Sequence, residues 1–237
     1  MYSPLMKKSL NRFLNVLKKF ILYFLAISIA WVIIYRFVNP PITPLMIIRY
    51  LESSSKNKSI NKKWKDYDYI SENMALAIIA AEDQNFFEHH GFDIEAIEKA
   101  LHKNKRVKRI RGASTISQQV AKNVFLWPSR TWLRKGLEAY FTPLIEIFWG
   151  KKRILEVYMN VAEMGDGIYG AEAAAQVYFK KSAIGLTKGE AALIAAVLPE
   201  PRALSPARPS AYLYKRQKWI IEQMNNLVSI KFLSETQ

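Results

Sequence analysis

An apolar stretch, Phe20–Val38, leaves the N-terminal part of this chain few ways to fold. A helix needs roughly 20 consecutive apolar residues to cross a bilayer core of about 30 Å, and this stretch has about that length. Only Arg36 interrupts it, close enough to the end for its guanidinium to reach the interface. The sequence therefore predicts one transmembrane helix over residues 20–38.

The charges that flank this stretch predict its orientation. Five cations precede it, and positive residues favour the cytoplasmic side, so residues 1–19 are expected to form a cytoplasmic tail and residues after about 39 to lie outside. A cleaved signal peptide is the alternative, because Ser28-Ile29-Ala30 loosely resembles a cleavage site. The apolar run continues past Ala30, which favours an anchor. The five cations are Lys7, Lys8, Arg12, Lys18 and Lys19.

Composition narrows the classes of function. The chain has 237 residues, half of them hydrophobic, which excludes a mainly disordered protein. It has no cysteine, so disulfides, thiolate zinc sites and cysteine nucleophiles are excluded. The net charge of +15 indicates an anionic partner, and nucleic acid, acidic phospholipid and a pyrophosphate-bearing lipid all qualify.

The rest of the chain divides at residue 70. Three prolines follow the apolar stretch and end its helix, so residues 39–70 are expected to be a linker and membrane-proximal region with a short helix near Leu45–Ile48. From residue 71 to 230 the apolar spacing is that of helices, with few alternating runs. The predicted fold class is therefore mainly α.

Individual helices are predicted from their caps and spacing. The sequence predicts a buried helix over Met74–Ala81, helix caps at Asp93 and Ser114, and a helix from Thr131 to Trp149 that bends near Pro143. It also predicts a capping box at Thr187–Glu190 and a final helix from Ser210.

Glu82 is the first candidate catalytic residue. It follows an apolar helix, where partial desolvation raises the pKa of a carboxyl group and makes it a better proton acceptor. An isolated Glu at such a position is usually an ordinary solvated side chain. Here Asp83, Phe86, His89 and Asp93 follow within a few positions, which favours a functional site.

Glu138 is the second candidate. Arg134 and Lys135 lie four and three positions before it, so all three share one helix face. Such spacing often marks a surface ion-pair ladder of little energetic consequence. It also suits a site that binds a diphosphate, and we expect Leu133, Leu137 and Phe141 to supply the core on the opposite face.

The segment Gly112–Gln119 places hydroxyl and amide side chains at a predicted helix start, where an anion or a sugar hydroxyl could bind. Ser114, Thr115, Gln118 and Gln119 belong to it, and Lys122 and Asn123 follow. A basic run, Lys103–Arg111, precedes it. Such runs are most often solvated loops, but this one could also attract anionic lipid head groups.

Together these blocks resemble the peptidoglycan glycosyltransferases of glycosyltransferase family 51, in particular its monofunctional branch. The pattern E-D-x-x-F-x-x-H-x-G-x-D starts at Glu82 and G-x-S-T-x-x-Q-Q starts at Gly112. Arg134-Lys135-x-x-Glu138 and the segment Lys151–Asn160 extend the likeness, which covers about residues 75–201. The chain ends without room for a transpeptidase domain, so peptide cross-linking is not expected.

The resemblance implies polymerisation of lipid II into β-1,4-linked glycan strands. The 4-hydroxyl of GlcNAc on one lipid-linked disaccharide attacks the anomeric carbon of MurNAc on the growing strand, with inversion and release of undecaprenyl pyrophosphate. The implied location is the bacterial inner (cytoplasmic) membrane with the catalytic domain in the periplasm. The implied partners are lipid II, the lipid-linked strand and the membrane, with other cell-wall synthases or division proteins as further candidates and no nucleic acid.

The resemblance also implies roles for residues and a fold. Glu82 would be the general base, and Glu138 would act with Arg134 and Lys135 on the donor side. Some relatives use a divalent cation, Mg²⁺ or Mn²⁺, near the pyrophosphate. The implied fold is a lysozyme-like helical head with a small membrane-facing jaw near Leu45–Ile48. The implied substrate-binding residues are Asp83, Phe86, His89, Ser114, Thr115, Gln118, Gln119, Lys122, Asn123, Arg134 and Lys135.

Two other functions fit part of the pattern. A lytic enzyme that cleaves glycan could use Glu82 equally well, but cleavage releases no pyrophosphate and gives Arg134 and Lys135 no task. A membrane-tethered nucleic-acid-binding protein would explain the charge. It predicts aromatic residues within the basic run, and Lys103–Arg111 has none.

Overall fold

The computed structural model of the chain describes residues 4–53, 59–104, 114–129 and 131–235. It divides into two compact units, Met1–Val38 and Asn39–Gln237. The predicted basic run Lys103–Arg111 and the start of the Gly112 segment lie mostly outside the described residues. The two units are described separately below.

The first unit is one helix, α1 (Pro4–Phe37). An 18-residue stretch within its segment Asn11–Phe37 has a mean hydropathy of 2.1. Among the described residues, this is the one helix long and apolar enough to cross a membrane. Large apolar side chains such as Phe20 and Phe37 are exposed along it. The helix predicted over Phe20–Val38 is therefore present, and it continues without a break into the basic segment before it.

The second unit is mainly α-helical, which confirms the predicted fold class. Its helices are α2 (Pro44–Glu52), α3 (Glu72–Glu82), α4 (Ile94–Asn104), α5 (Ile116–Phe125), α6 (Trp132–Val161), α7 (Ala171–Phe179), α8 (Lys188–Val197) and α9 (Ala211–Glu235). Three short strands, β1 (Asn61–Lys62), β2 (Glu163–Gly165) and β3 (Ile168–Tyr169), form a sheet in the order β1-β3-β2. β1 runs parallel to β3, and β2 runs antiparallel to it.

Hydroxyl side chains begin most of these helices. Thr43 accepts a hydrogen bond from the Met46 amide at the start of α2. Thr187 and Glu190 form the predicted capping box of α8, and Asp93 accepts from the Ala96 amide at the start of α4, as predicted. These bonds satisfy amides that have no partner inside a helix.

The core has two helical halves. In one, α3 packs against α8 and α9, and its Met74, Ala77 and Ile78 are fully buried. In the other, α5 packs against α6. The C-terminal end of α3 and the first turn of α5 meet at a buried hydrogen bond between the Asp83 carboxylate and the Ile116 amide. The predicted site residues lie around this junction.

Two local predictions were wrong. Thr115, not Ser114, caps α5, because the Thr115 hydroxyl accepts from the Gln118 amide. The backbone of α6 leaves the helical region at Gly150, with φ +71° and ψ 167°, directly after the predicted helix end at Trp149, and the bend near Pro143 stays a prediction. Leu133 is 70% exposed, so the core-facing side of α6 carries Arg134, Glu138 and Phe141 instead.

Candidate active site

Glu82 ends α3 beside the first turns of α5. Its side-chain oxygen Oε2 accepts a hydrogen bond from Nε2 of Gln119 at 2.8 Å. Burial raises the pKa of Glu82, while the Gln119 hydrogen bond and the charges of Arg216 and Lys122 act to lower it. The carboxyl group is therefore partly desolvated, as its position after an apolar helix predicted. Such a group can accept a proton near neutral pH.

Gln119 is itself held from behind. Its Oε1 accepts a hydrogen bond from the hydroxyl of Tyr158 at 3.0 Å, and Tyr158 is 1% exposed. The chain Tyr158–Gln119–Glu82 therefore connects α6, α5 and α3. Tyr158 belongs to a block that the sequence singled out, but no local pattern indicates this contact, because 39 positions separate the two partners.

Asp83, the next residue, has a structural task. Its carboxylate accepts from Nε2 of His89 at 2.9 Å and from the amide of Ile116 at 2.9 Å. Burial raises the pKa of Asp83, and these partners oppose the shift. The Gly91 amide donates to Nδ1 of His89, which fixes the neutral tautomer with its proton on Nε2. Asp83 and His89 therefore hold the loop after α3 against the start of α5.

Lys122 relates the two predicted carboxylates to each other. Burial lowers the pKa of Lys122, and the charges of Glu138 and Glu82 both raise it. Its ammonium group is thus within electrostatic reach of both, although the two carboxylates come from different helices. Arg134 and Arg49 also act on it, each lowering its pKa. The site is a cluster of cations around two acidic side chains.

Glu138 is buried, with 3% of its surface exposed. One of its oxygens pairs with Arg134 and the other with Lys135. The side chain of Arg134 is 11% exposed, whereas that of Lys135 is 43% exposed. The interpretation of this trio as a surface ladder is therefore wrong: a buried carboxylate positions two cations, one of which faces solvent.

Three of the predicted substrate-binding residues are buried and support the site from behind. Phe86 is fully buried, and the ammonium of Lys151 lies 4.6 Å from its ring centre. Thr115 and Gln118 are buried and bond to each other in the capping box. Of the other predicted residues, Ser114 is exposed, Gln119 and Lys122 are half-buried, and Asn123 is buried.

A cleft of about 410 Å³ opens beside Glu82. Ser114 and Asp93 line it, and so does Trp219 of α9, which the sequence analysis did not assign. Arg216, one turn before Trp219, lies with its guanidinium 5.9 Å from the indole. Local sequence patterns cannot find these two residues, because α9 reaches the site through its packing on α3 and α8, which lie far from it in the chain.

A metal site built from several acidic or imidazole side chains is absent from the described residues, where no group of three or more His, Asp or Glu side chains could hold an ion. Glu138 is already paired with two cations. A divalent cation bound partly by the pyrophosphate of the substrate stays a prediction.

Comparisons with known proteins agree on one family. A family model described as Transglycosylase matches residues 49–225. A biosynthetic peptidoglycan transglycosylase of Xanthomonas euvesicatoria is 53% identical over 220 residues, which are 92% of this chain and 89% of that protein. Proteins of the same name from Pseudomonas fluorescens and Bacteroides thetaiotaomicron are 52% and 51% identical, over 92% and 95% of this chain and 92% and 90% of their own lengths.

Proposed function

Because this chain belongs to the transglycosylase family, we propose that it is a peptidoglycan glycosyltransferase that polymerises lipid II with Glu82 as the general base. The observation that carries the proposal is the partly desolvated Glu82 carboxyl beside a group of cations. A glycosyl transfer that expels a diphosphate needs both a proton acceptor and positive charge.

The acceptor half of the reaction takes place at Glu82. The 4-hydroxyl of GlcNAc attacks the anomeric carbon of MurNAc and becomes more acidic as the new bond forms. Oε1 of Glu82 takes this proton, since Oε2 already accepts from Gln119. The hydrogen bond from Gln119 holds the carboxyl in one orientation, which reduces the cost of aligning it with the hydroxyl.

The donor half needs positive charge at the leaving diphosphate. Lys135 is the most exposed member of the trio around Glu138 and is the best placed to contact a phosphate oxygen. Arg134 and Lys122 lie deeper and add to the local potential. Glu138 keeps Arg134 and Lys135 in place, and breaking this buried pairing would leave uncompensated charge. The undecaprenyl pyrophosphate then leaves, and these cations stabilise the negative charge that it gains.

The lytic alternative uses only half of this arrangement. Hydrolysis of a glycan by the usual two-carboxylate route would use Glu82 and a second acidic group at the cleaved bond. Glu138 is paired with two cations, which leaves it unsuited to attack a sugar. Synthesis also gives a role to Arg134, Lys135 and Lys122, which hydrolysis leaves without one.

The membrane supplies the substrate in this proposal. Helix α1 anchors the protein in the inner membrane with its basic N-terminal segment in the cytoplasm, and the second unit works on lipid II in the periplasm. Other cell-wall synthases or division proteins stay candidate partners. The divalent cation stays a prediction, and titration of the activity with Mg²⁺ or Mn²⁺ tests it.

Two substrates given to the same purified protein separate synthesis from lysis. The full chain in detergent is incubated with lipid II and, in a second reaction, with polymerised glycan, and product lengths are measured. We expect long strands from lipid II and no shortening of the glycan. Shortened glycan without growth from lipid II would support the lytic alternative instead.

A further inference from the structure

The buried hydroxyl of Tyr158 is joined to Glu82 through the Gln119 amide, and the proposed reaction assigns it no role. It donates to Oε1 of Gln119 at 3.0 Å, and Nε2 of the same amide donates to Glu82 at 2.8 Å. Tyr158 is 1% exposed, so bulk water does not compete for its hydroxyl. The three side chains form one directed chain of hydrogen bonds that ends on the general base.

The direction of this chain depends on how the Gln119 amide is turned. Its oxygen only accepts hydrogen bonds and its nitrogen only donates them. A half-turn about the last side-chain bond would bring Oε1 to the Glu82 carboxylate, where two acceptors would face each other. The lost hydrogen bond stabilises the charged form of the base, so the turned amide would weaken Glu82 as an ionised acceptor.

We propose that Tyr158 is a positioning residue: its hydroxyl directs its proton to Oε1 of Gln119 and thereby keeps the amide nitrogen on Glu82. The inference deepens the proposed function and rests on Glu82 as the general base. Tyr158 does not touch the substrate and acts through Gln119. Its effect is on the protonation of the base rather than on binding.

Other charges around Glu82 do not depend on this hydroxyl. Arg216 faces it from α9, Lys122 from α5, and Asp83 follows it in the chain. Tyr158 is neutral, because burial, together with the charges of Glu82 and Asp83, raises its pKa well above the usual value. Replacement of Tyr158 by Phe therefore leaves these charges in place and removes only the hydroxyl.

The pH profile of kcat/KM for lipid II polymerisation tests the proposal. Tyr158→Phe should move the acidic limb of the profile by about one pH unit toward higher pH, which is about a tenfold loss below the limb, with little change in KM. The position of the limb does not depend on how much protein is active, so partial misfolding does not disguise the shift. A limb at the wild-type position would overturn the proposal.

Three further variants show whether Tyr158 acts through Gln119. Gln119→Ala should move the limb at least as far as Tyr158→Phe, and the double variant no further than Gln119→Ala alone. Additive shifts would mean that Tyr158 acts by another route, which also overturns the proposal. Tyr178→Phe is the matched control, because the Tyr178 hydroxyl donates to the Met164 carbonyl and should leave the profile unchanged.

Failure of this inference can be told from failure of the proposed function. If Glu82→Gln polymerises lipid II at the wild-type rate, Glu82 is not the base and both fail. If Glu82→Gln is inactive and the limb of Tyr158→Phe does not move, only the positioning role of Tyr158 fails.

Discussion

At the scale of a single residue, stability and activity place opposite requirements on Glu82. Its burial costs stability when it is charged, and the general-base role proposed for it requires that it be charged. Gln119 and the nearby cations reduce this conflict without removing it, since the pKa stays raised. Residues of this kind usually lower stability in exchange for activity.

This conflict predicts how stability changes with pH in Glu82→Gln. The raised pKa means that the folded state binds the proton more tightly than the unfolded state, so stability is lost as pH rises through the folded pKa. Gln does not titrate. The variant should therefore unfold at a higher temperature than wild type at pH 8, and the difference should shrink toward pH 4.

Differential scanning fluorimetry of the detergent-solubilised protein measures this difference. Glu95→Gln is the control, because the Glu95 side chain is 66% exposed on α4 and should shift the midpoint little at either pH. A lower unfolding midpoint for Glu82→Gln than for wild type at pH 8 would show that the charged Glu82 carboxyl does not destabilise the folded state.

Lys135 gives a second prediction at this scale. Lys135→Ala should lower kcat/KM for lipid II by about tenfold or more, because in the proposed reaction it removes the cation that meets the developing diphosphate charge. Lys152→Ala is the control: Lys152 is on the same helix and pairs with Asp68 on the surface, and exposed pairs contribute little. Equal losses in both variants, measured as initial rates, would argue for a general charge effect.

At the scale of elements, the start of α5 holds the site together. The Thr115 hydroxyl accepts from the Gln118 amide and donates to the Gly91 carbonyl at 2.7 Å. The same turn presents the Ile116 amide to Asp83. A single cap therefore connects α5 to the loop that follows α3.

The cap predicts different costs for two neighbouring hydroxyl residues. Thr115→Ala should lower the free energy of unfolding by about 2 to 3 kcal/mol, because it removes the cap and leaves a buried carbonyl without its donor. Ser114→Ala should change it by less than about 0.5 kcal/mol, since Ser114 is exposed and caps nothing. Denaturant titration of both variants checks this, and similar costs would contradict the assignment.

Local signals in the sequence predicted the elements well. The apolar stretch of α1, the capping box of α8 and the cap of α4 depend on residues within a few positions of each other. The cap of α5 was placed one residue early because Ser114 and Thr115 are both suitable caps. Only the backbone conformation, extended at Thr115, separates them.

At the scale of the whole molecule, sequence patterns predicted less of the packing between helices. The face of α6 that carries Glu138 was expected to lie opposite the core residues, but Glu138 is buried and Leu133 is exposed, because α6 packs on α5 through the Glu138 face. Tyr158 and Arg216 reach the site from helices distant in the chain. Helical spacing shows which residues share a face, but the packing of other helices decides which face is buried.

Part of the net positive charge of the chain lies at the candidate active site. Lys122, Arg134, Lys135 and Arg216 all act within the site, around Glu82 and Glu138. Part of the charge of +15 is therefore concentrated where an anionic leaving group would form. Cations gathered in one region of a surface raise the local concentration of an anionic substrate.

Strand synthesis by Glu82→Gln in the full-length protein tests the central claim most directly. Gln retains the shape of Glu and can still accept a hydrogen bond from Gln119, so the fold and lipid II binding should persist. The account predicts that polymerisation of lipid II falls by at least 100-fold, the scale of general-base catalysis, while binding stays within about twofold. Polymerisation near the wild-type rate would contradict it.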